Sequence, residues 1–151
     1  MNDNSEKFTS LDYFQAATMH MGKRDPATAL AVTIEGLEHY PENAKLLCMG
    51  VKSCIAQRYL DEARLYMDKA RSLHIADALV HETYADLKLM EGSSGKAVSA
   101  YRQALKLNPD NDGIQAKIDH ARVKMNRIKP LHGQRQQKLA FPEEMEKAGR
   151  L

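Results

Sequence analysis

The chain repeats a pattern of small side chains every 34 residues, within segments that have the composition of α-helices. The small residues form three series in which each member follows the last by 34 positions: Ala29, Ala63 and Ala97; Gly36, Ala70 and Ala104; and Ala17, Val51 and Ala85. Small residues at a fixed period mark places where two helix backbones approach too closely for larger side chains. The pattern therefore predicts a stack of similar helical units.

Each 34-residue unit is predicted to contain two helices joined by a short turn. Asp25-Pro26 suits a helix start, because Asp caps the helix and Pro fits its first position. Pro41 and Pro109 lie beyond helix ends, since proline cannot continue a helix, and Gly92-Ser93 separates another two helices. The predicted helices span about residues 5–23, 26–39, 44–57, 60–73, 78–91 and 94–107.

The period ends after Asn111, but a further helix is predicted. An apolar stripe has the four- and three-residue spacing of one helical face, and it consists of Ile114, Ile118, Ala121 and Met125. The other face carries Lys117, Arg122, Lys124 and Arg127. A helix with one polar face suits the end of a repeat stack, so we expect a capping helix over 112–129, bounded by Pro130. A polar tail over 130–151 follows, with a short helix starting near Pro142.

These features resemble the tetratricopeptide repeat, a helix–turn–helix unit of 34 residues. The third unit matches the family's small, turn, aromatic and proline positions with Ala85, Gly92, Ala97, Tyr101, Ala104 and Pro109. The family's frequent tryptophan is replaced by Tyr13, Leu47 and His81. The resemblance implies an all-α, right-handed α-solenoid of three helix pairs plus a C-terminal capping helix. The implied segments are an N-terminal extension of the first helix (1–9), three repeats (10–43, 44–77 and 78–111), the cap (112–129) and the tail (130–151).

The composition is that of an ordinary single domain. The 151 residues are 43% hydrophobic and 28% charged, with a net charge of +2. They hold no apolar run of transmembrane length and start without the pattern of a secretory signal. Cys48 and Cys54 are about 9 Å apart along one predicted helix, too far for a disulfide. Reduced thiols are typical of the cytosol, so we expect a cytoplasmic protein or a piece of a longer one.

The resemblance also implies a ligand-binding face, because the first helix of each pair lines the concave side in this family. The residues at the family's concave positions are Leu11, Phe14, Gln15, Thr18 and Met21, then Lys45, Cys48, Met49, Lys52 and Ile55, then Leu79, Glu82, Thr83, Asp86 and Leu89. Their spacing of three and four residues is that of one helical face. We expect this face to hold a peptide or helix of a partner protein.

The predicted concave face is mixed in chemistry. Its apolar anchors are Phe14, Met21, Met49, Ile55, Leu79 and Leu89. Lys45 and Lys52 add positive charge in the middle, and Glu82 and Asp86 add negative charge at one end. We therefore expect a partner with apolar anchors and mixed charge. Two alternatives are that Met21, Ile55 and Leu89 pack between helices, and that the chain's own Phe141, Met145 and Leu151 occupy the face.

One known mode of recognition does not fit. Family members that grip the C-terminal carboxylate of chaperones use Lys, Asn and Arg side chains. At the matching positions this chain has Phe14, Thr18, Met49, Leu79 and Thr83. None of these donates the charged hydrogen bonds that a carboxylate needs, so that mode is not expected.

No catalytic, metal or cofactor site is predicted. The six histidines lack ligand spacing, and the chain has neither a Cys-x-x-Cys motif nor two histidines four residues apart. The segment from Gly113 to Ala140 contains seven Lys or Arg residues and only one acid, Asp119. No aromatic residue lies among them to stack on bases, so binding of nucleic acid is not expected.

These patterns predict a non-enzymatic protein-interaction module, an adaptor or chaperone-like scaffold. A narrower alternative is a type III secretion chaperone for translocator proteins, which this chain resembles in size, number of repeats and apolar groove. Another is an N-terminal repeat module of a longer enzyme, such as a transferase. Self-association through the repeat ends or the tail is a third possibility.

Overall fold

A computed structural model describes the backbone of residues 7–138 and the side chains of residues 7–127. Within this range the chain forms seven α-helices and no strand. They are α1 (Ser10–Gly22), α2 (Pro26–His39), α3 (Ala44–Ala56), α4 (Leu60–Leu73), α5 (Ala78–Met90), α6 (Ser94–Leu107) and α7 (Gly113–Lys138). The predicted all-α stack of three helix pairs and a last helix is confirmed, and α2 to α6 lie within one residue of their predicted bounds.

The first helix of each pair starts at a capping residue that recurs every 34 positions. The capping residues are Thr9, Asn43, Asp77 and, before α7, Asn111. Each accepts a hydrogen bond through its side-chain oxygen from a backbone N–H two or three residues later, at 2.9 to 3.1 Å. Such caps satisfy donors that have no partner inside the helix. The sequence thus fixes the helix starts locally.

The first helix begins at Ser10 and not near residue 5 as predicted. Thr9 and Asp12 form a capping box, in which Thr9 Oγ1 accepts from the Asp12 N–H and the Asp12 carboxylate accepts from the Thr9 N–H at 2.8 Å. The box keeps Thr9 outside the helix. The expected helical extension over 1–9 is therefore wrong for residues 7–9, and residues 1–6 lie outside the described part.

The small residues of the 34-residue period lie where helices touch. Ala17, Ala29, Ala63 and Ala97 have no exposed surface. The closest approach is at Gly36 on α2, where an added Cβ would lie 2.8 Å from the Tyr13 Cβ and 3.1 Å from the Leu46 Cδ1. A methyl group there would force helices apart. These contacts confirm the close helix packing that the period predicted.

The turns inside the three pairs share one backbone conformation. Arg24, Arg58 and Gly92, again 34 residues apart, have φ angles of 61°, 65° and 86°. This left-handed conformation reverses the chain after the first helix, and glycine adopts it without steric cost. Only the third turn has glycine at this position.

The first helices of the pairs form one layer and the second helices form another. α1 packs against α3 and α3 against α5, whereas the second helices within the described part pack mainly against first helices and not against each other. Close packing in one layer and open spacing in the other bends the stack. The surface of α1, α3 and α5 on the side away from the second helices is the inner face.

The last helix covers the end of the third pair. Ile114, Ile118 and Ala121 pack into the cluster formed by α5 and α6, as predicted for a cap. However, α7 does not end before Pro130 but continues to Lys138. The predicted end at 129, and the assignment of 130–138 to a polar tail, are therefore wrong. A proline inside a helix removes one hydrogen bond, and its ring clashes with the carbonyl four residues earlier. This local cost does not end α7 here, because the helix continues on both sides of Pro130.

Residues 139–151 lie outside the described part. The predicted short helix from Pro142 falls there. So does the suggestion that Phe141, Met145 and Leu151 occupy the concave face.

Candidate peptide-binding face

Most of the residues predicted for the inner face have accessible surface. Twelve of the fifteen have accessible surface, and the most exposed are Leu11, Gln15, Thr18 and Lys45. The half-buried ones are Phe14, Met21, Lys52, Ile55, Leu79, Glu82, Asp86 and Leu89. Among these, Met21, Ile55 and Leu89 each pack on a core cluster, and so do Phe14 and Leu79. Their packing favours the alternative in which these three side chains mainly join helices.

Cys48, Met49 and Thr83 do not line the inner face, contrary to prediction. Met49 is 4% exposed and packs in a cluster with Ala17 and Ala29. Thr83 has no exposed surface, and its hydroxyl donates to a carbonyl of its own helix. The reason for Met49 and Thr83 is position in the stack: α3 and α5 each pack on a preceding first helix, whereas their counterpart on α1, Gln15, has no such neighbour within the described part and is exposed. These three residues stabilise the fold.

The two cysteines are buried free thiols. Cys48 Sγ lies 3.9 Å from the Leu79 carbonyl oxygen, and both thiols belong to the central core cluster. Burial raises the pKa of Cys48 and of Cys54 to about 11. At pH 8 such a thiol is ionised in only about one molecule in a thousand. Neither cysteine has the properties of a nucleophile.

Glu82 and Asp86 do not offer free negative charge at one end of the face, as had been predicted. Lys117 of α7 lies between them, with its Nζ 2.7 Å from Glu82 Oε2 and 3.3 Å from Asp86 Oδ1. The Tyr101 hydroxyl also donates to Asp86. Burial lowers the pKa of Lys117, but the hydrogen bonds and charges of the two carboxylates outweigh it and raise the pKa overall. These acids attach the last helix to α5.

Sequence reasoning missed the role of Lys117, which it had assigned to the polar face of the capping helix. A signal for this role does exist. Lys117 follows Glu82 by 35 residues, one more than the repeat period, so the two lie at neighbouring positions on successive first helices. Opposite charges with this spacing suit an ion pair between the helices.

Lys45 and Lys52 carry the charge that the inner face retains. They lie seven residues apart on α3, about two helical turns or 10 Å. Among residues 7–127, neither amine has a carboxylate within salt-bridge distance. Lys45 Nζ lies 5.6 Å from the centre of the Phe14 ring on α1, and the half-buried Leu79 lies on α5. The two lysines predicted for the middle of the face therefore keep their charge unpaired within residues 7–127, and apolar side chains lie on the helices to either side of α3.

Two further features concern residues 7–127. No group of three or more His, Cys, Asp or Glu side chains there is arranged to hold a metal ion. No helix in the described part is both long and apolar enough to cross a membrane.

No family model and no curated protein matches the sequence. Solved structures do share its helix arrangement. The first TPR domain of human RPAP3 matches with a TM-score of 0.69 at 13% identity, over 79% of this chain and 94% of that one. The first TPR of Spaghetti (RPAP3), solved with the HSP90 peptide SRMEEVD, matches with a TM-score of 0.65 at 13% identity, over 78% and 94%.

Larger proteins contain the same arrangement. A Thermobaculum terrenum O-GlcNAc transferase mutant matches with a TM-score of 0.62 at 16% identity, over 77% of this chain and 23% of that one. The Naa15/Naa10 structure with HypK-THB matches with a TM-score of 0.66 at 21% identity, over 92% and 24%. The chain spans about a quarter of the length of these two. Because these identities are low, the comparisons concern the fold: the chain has the tetratricopeptide-repeat fold.

Proposed function

We propose that this protein is a non-enzymatic interaction module that binds a segment of a partner protein along its inner face. The observation that carries the proposal is the combination of two accessible lysines on α3 with Phe14 and Leu79 on the flanking helices. A charged strip bordered by apolar side chains suits an extended or helical segment that has both kinds of residue. The peptide bound to the Spaghetti domain supports a peptide as the ligand for this fold.

The partner segment that fits is apolar and acidic, not of mixed charge. Glu82 and Asp86 already pair with Lys117, so a basic residue of a partner gains little from them. Acidic residues of a partner, in contrast, would supply carboxylates to Lys45 and Lys52. Their separation of about 10 Å matches two acids three residues apart in an extended chain, or seven apart on a helix.

The affinity expected for such a segment is moderate. Each large apolar side chain buried against Phe14, Leu79 or Leu11 contributes roughly 1.5–3 kcal/mol. Ordering the segment and losing its free motion offsets much of this gain. A dissociation constant on the order of micromolar follows.

Recognition of a terminal carboxylate is not part of the proposal. Of the five positions that hold such a group in related proteins, Met49 and Thr83 are buried here. At a third, the Thr18 hydroxyl already donates to the Phe14 carbonyl. The acids that we propose are therefore side chains within the partner segment. This chain is expected to bind SRMEEVD-type peptides no better than it binds peptides amidated at the C-terminus.

A second candidate is a binding module within a longer enzyme. It is favoured by the two similar structures that are about four times longer, one of which is a transferase. In that case the inner face serves to hold a protein for the enzyme. A translocator chaperone and a cytoplasmic adaptor use the same face, and both remain proposals.

Selection from a random 12-residue peptide display library tests the proposal. The wild type is expected to select peptides that combine apolar residues with acids three or seven positions apart. Lys45→Glu/Lys52→Glu is expected to bind the synthesised peptides at least tenfold more weakly by fluorescence anisotropy, because it places acids opposite acids. Met49, although predicted for the inner face, is not a suitable position for this test, because Met49→Glu would bury a charge in the core.

The matched control is Lys96→Glu/Lys106→Glu, which makes the same charge change at two exposed lysines of α6 in the outer layer. It is expected to retain wild-type affinity. If the selected peptides bound all three proteins equally, the inner face would not be the binding site. If no peptide were selected, the proposal of a peptide-binding module would fail.

A further inference from the structure

In each helix pair, one position on the first helix and one on the second, sixteen residues later, lie on the side that faces the preceding repeat. In the second pair they are Gly50 and Tyr66, and in the third they are Tyr84 and Ala100. The Tyr66 ring lies against Gly50, 3.0 to 3.3 Å from where a Cβ would stand. In the third pair the large residue is on the first helix and the small one on the second, and Tyr84 packs on the cluster that contains Ala100. Both pairs thus hold one large and one small side chain in the space on this side, although a cavity of about 220 Å³ remains in the second pair beside Tyr66 and is half the size of the one in the first pair.

In the first pair this space is left open. Its two positions hold Ala16 and Val32, and neither is an aromatic residue. A cavity of about 440 Å³ lies there, which is also lined by Lys7, Phe8, Asp12, Tyr13 and Glu35. We call it the end cavity. It is large enough to accept a bulky side chain from another molecule.

The surface around the end cavity corresponds to an interface between repeats. Met19 on this side of α1 is 50% exposed, and Phe8 is 60% exposed. The residues one and two periods after Met19 are Ser53 and Leu87, which are both buried. Leu87 packs in the central cluster with residues of the preceding repeat. Among residues 7–127, the end of the stack thus exposes at Met19 a position that is covered in the other repeats.

The two ends of the described stack carry opposite charge. At the end cavity, Asp12 and Glu35 outnumber Lys7. At the other end, the outer side of α7 exposes Arg122, Lys124 and Arg127. Val123, among these basic residues, is 50% exposed. No acid follows Asp119 within α7.

We propose that the end cavity and its rim bind α7 of a second copy of this chain, so that molecules associate head to tail. Val123 and its neighbours supply the apolar part, and the basic residues face Asp12 and Glu35. None of the residues that line the end cavity is among those predicted for the inner face. Contacts between two different surfaces produce a chain or a ring rather than a closed dimer.

Analytical ultracentrifugation of the full chain tests this association. The wild type is expected to grow in mass from about 5 to 500 µM, and to do so less at high salt, which screens the charges. Ala16→Tyr fills the end cavity with the residue that the third pair has at this position, and is expected to weaken association at least tenfold. Lys124→Glu/Arg127→Glu, at exposed residues of α7, is expected to do the same.

A mixture of the two variants tests most directly whether the contact joins two different surfaces. Ala16→Tyr retains an intact α7, and Lys124→Glu/Arg127→Glu retains an intact end cavity. An equimolar mixture is therefore expected to form one-to-one dimers that do not grow further. Circular dichroism verifies that both variants are folded. A wild type that is monomeric at every concentration would overturn the proposal. So would association that neither variant weakens, or a mixture that contains only monomers.

The control is Leu65→Ser on α4 in the outer layer, which removes the most exposed large apolar side chain among residues 7–127. It is expected to associate like the wild type. Equal weakening by this substitution would indicate non-specific hydrophobic association and would also overturn the proposal.

Discussion

A single residue sets the turn inside each helix pair. Arg24, Arg58 and Gly92 all have positive φ angles. A side chain in this conformation costs about 1–2 kcal/mol, because its Cβ approaches the following carbonyl oxygen. The first two turns therefore contain a local strain that the third turn avoids.

We expect Gly92→Ala to lower the free energy of unfolding by about 1 kcal/mol, since it introduces that strain. Arg58→Gly is expected to raise it by about 0.5 kcal/mol, since relief of strain exceeds the added entropy of the unfolded chain. Urea unfolding followed by circular dichroism measures both changes.

Gly95→Ala is the matched control, because Gly95 lies in the first turn of α6 without a positive φ. A Cβ there meets only the Met125 sulfur at 3.8 Å. This substitution is expected to be neutral or stabilising, by helix propensity. A loss of stability equal to that of Gly92→Ala would show that backbone conformation is not the cause.

At the scale of elements, α7 is attached by both an apolar face and an ion pair. Its apolar residues could be predicted from their helical spacing alone. The ion pair of Lys117 with Glu82 and Asp86 depends on the relative rotation of two helices. Local patterns do not report that rotation, although the 35-residue spacing is consistent with it.

Lys117→Met keeps the apolar stem and removes the charge, leaving two carboxylates close together at the base of α7. We expect the free energy of unfolding to fall by about 1–2 kcal/mol at neutral pH. Part of the full cost is screened by solvent, because the lysine side chain is 39% exposed. Urea unfolding at pH 7 provides the measurement.

Lys124→Met is the control, because Lys124 is exposed on the same helix and has no salt bridge within residues 7–127. It is expected to change stability by less than about 0.5 kcal/mol. Similar losses for both variants would mean that helix propensity, and not the ion pair, determines the effect.

Helix bounds were predictable where their cause is local. Asn43 and Asp77 cap the helices that follow them, and α3 and α5 start where expected. The start of α1 was misplaced because the capping box of Thr9 and Asp12 was not recognised. The end of α7 was misplaced because a proline limits a helix without always ending it.

At the scale of the whole molecule, burial is concentrated in the middle of the stack. α3 buries eight of its thirteen residues, whereas α1 buries only Tyr13 and Ala17. Helix α3 touches neighbours on both sides, and α1 has a neighbour on one side only. This difference also explains the errors in the predicted site. Met49 and Thr83 follow the family pattern, but the sequence does not state how deeply each repeat is covered.

Native-state hydrogen exchange is expected to show this gradient. In a stack where each repeat contacts only its neighbours, opening starts at the ends. We expect amides of α3 to exchange at least tenfold more slowly than those of α1, measured by mass spectrometry of peptic fragments. Uniform protection from α1 to α6 would show instead that the stack opens as one unit.

The open spacing of the outer layer has a mechanical consequence. Because second helices do not pack against one another, the angle between successive pairs is controlled by the contacts that each first helix makes with both helices of the preceding pair. Small rotations at each junction between pairs add up along the molecule and change the curvature of the stack. A ligand that moves α1 and α5 apart would reduce the curvature of the stack. Conversely, a force that pulls the two ends apart would change the affinity of the protein for that ligand.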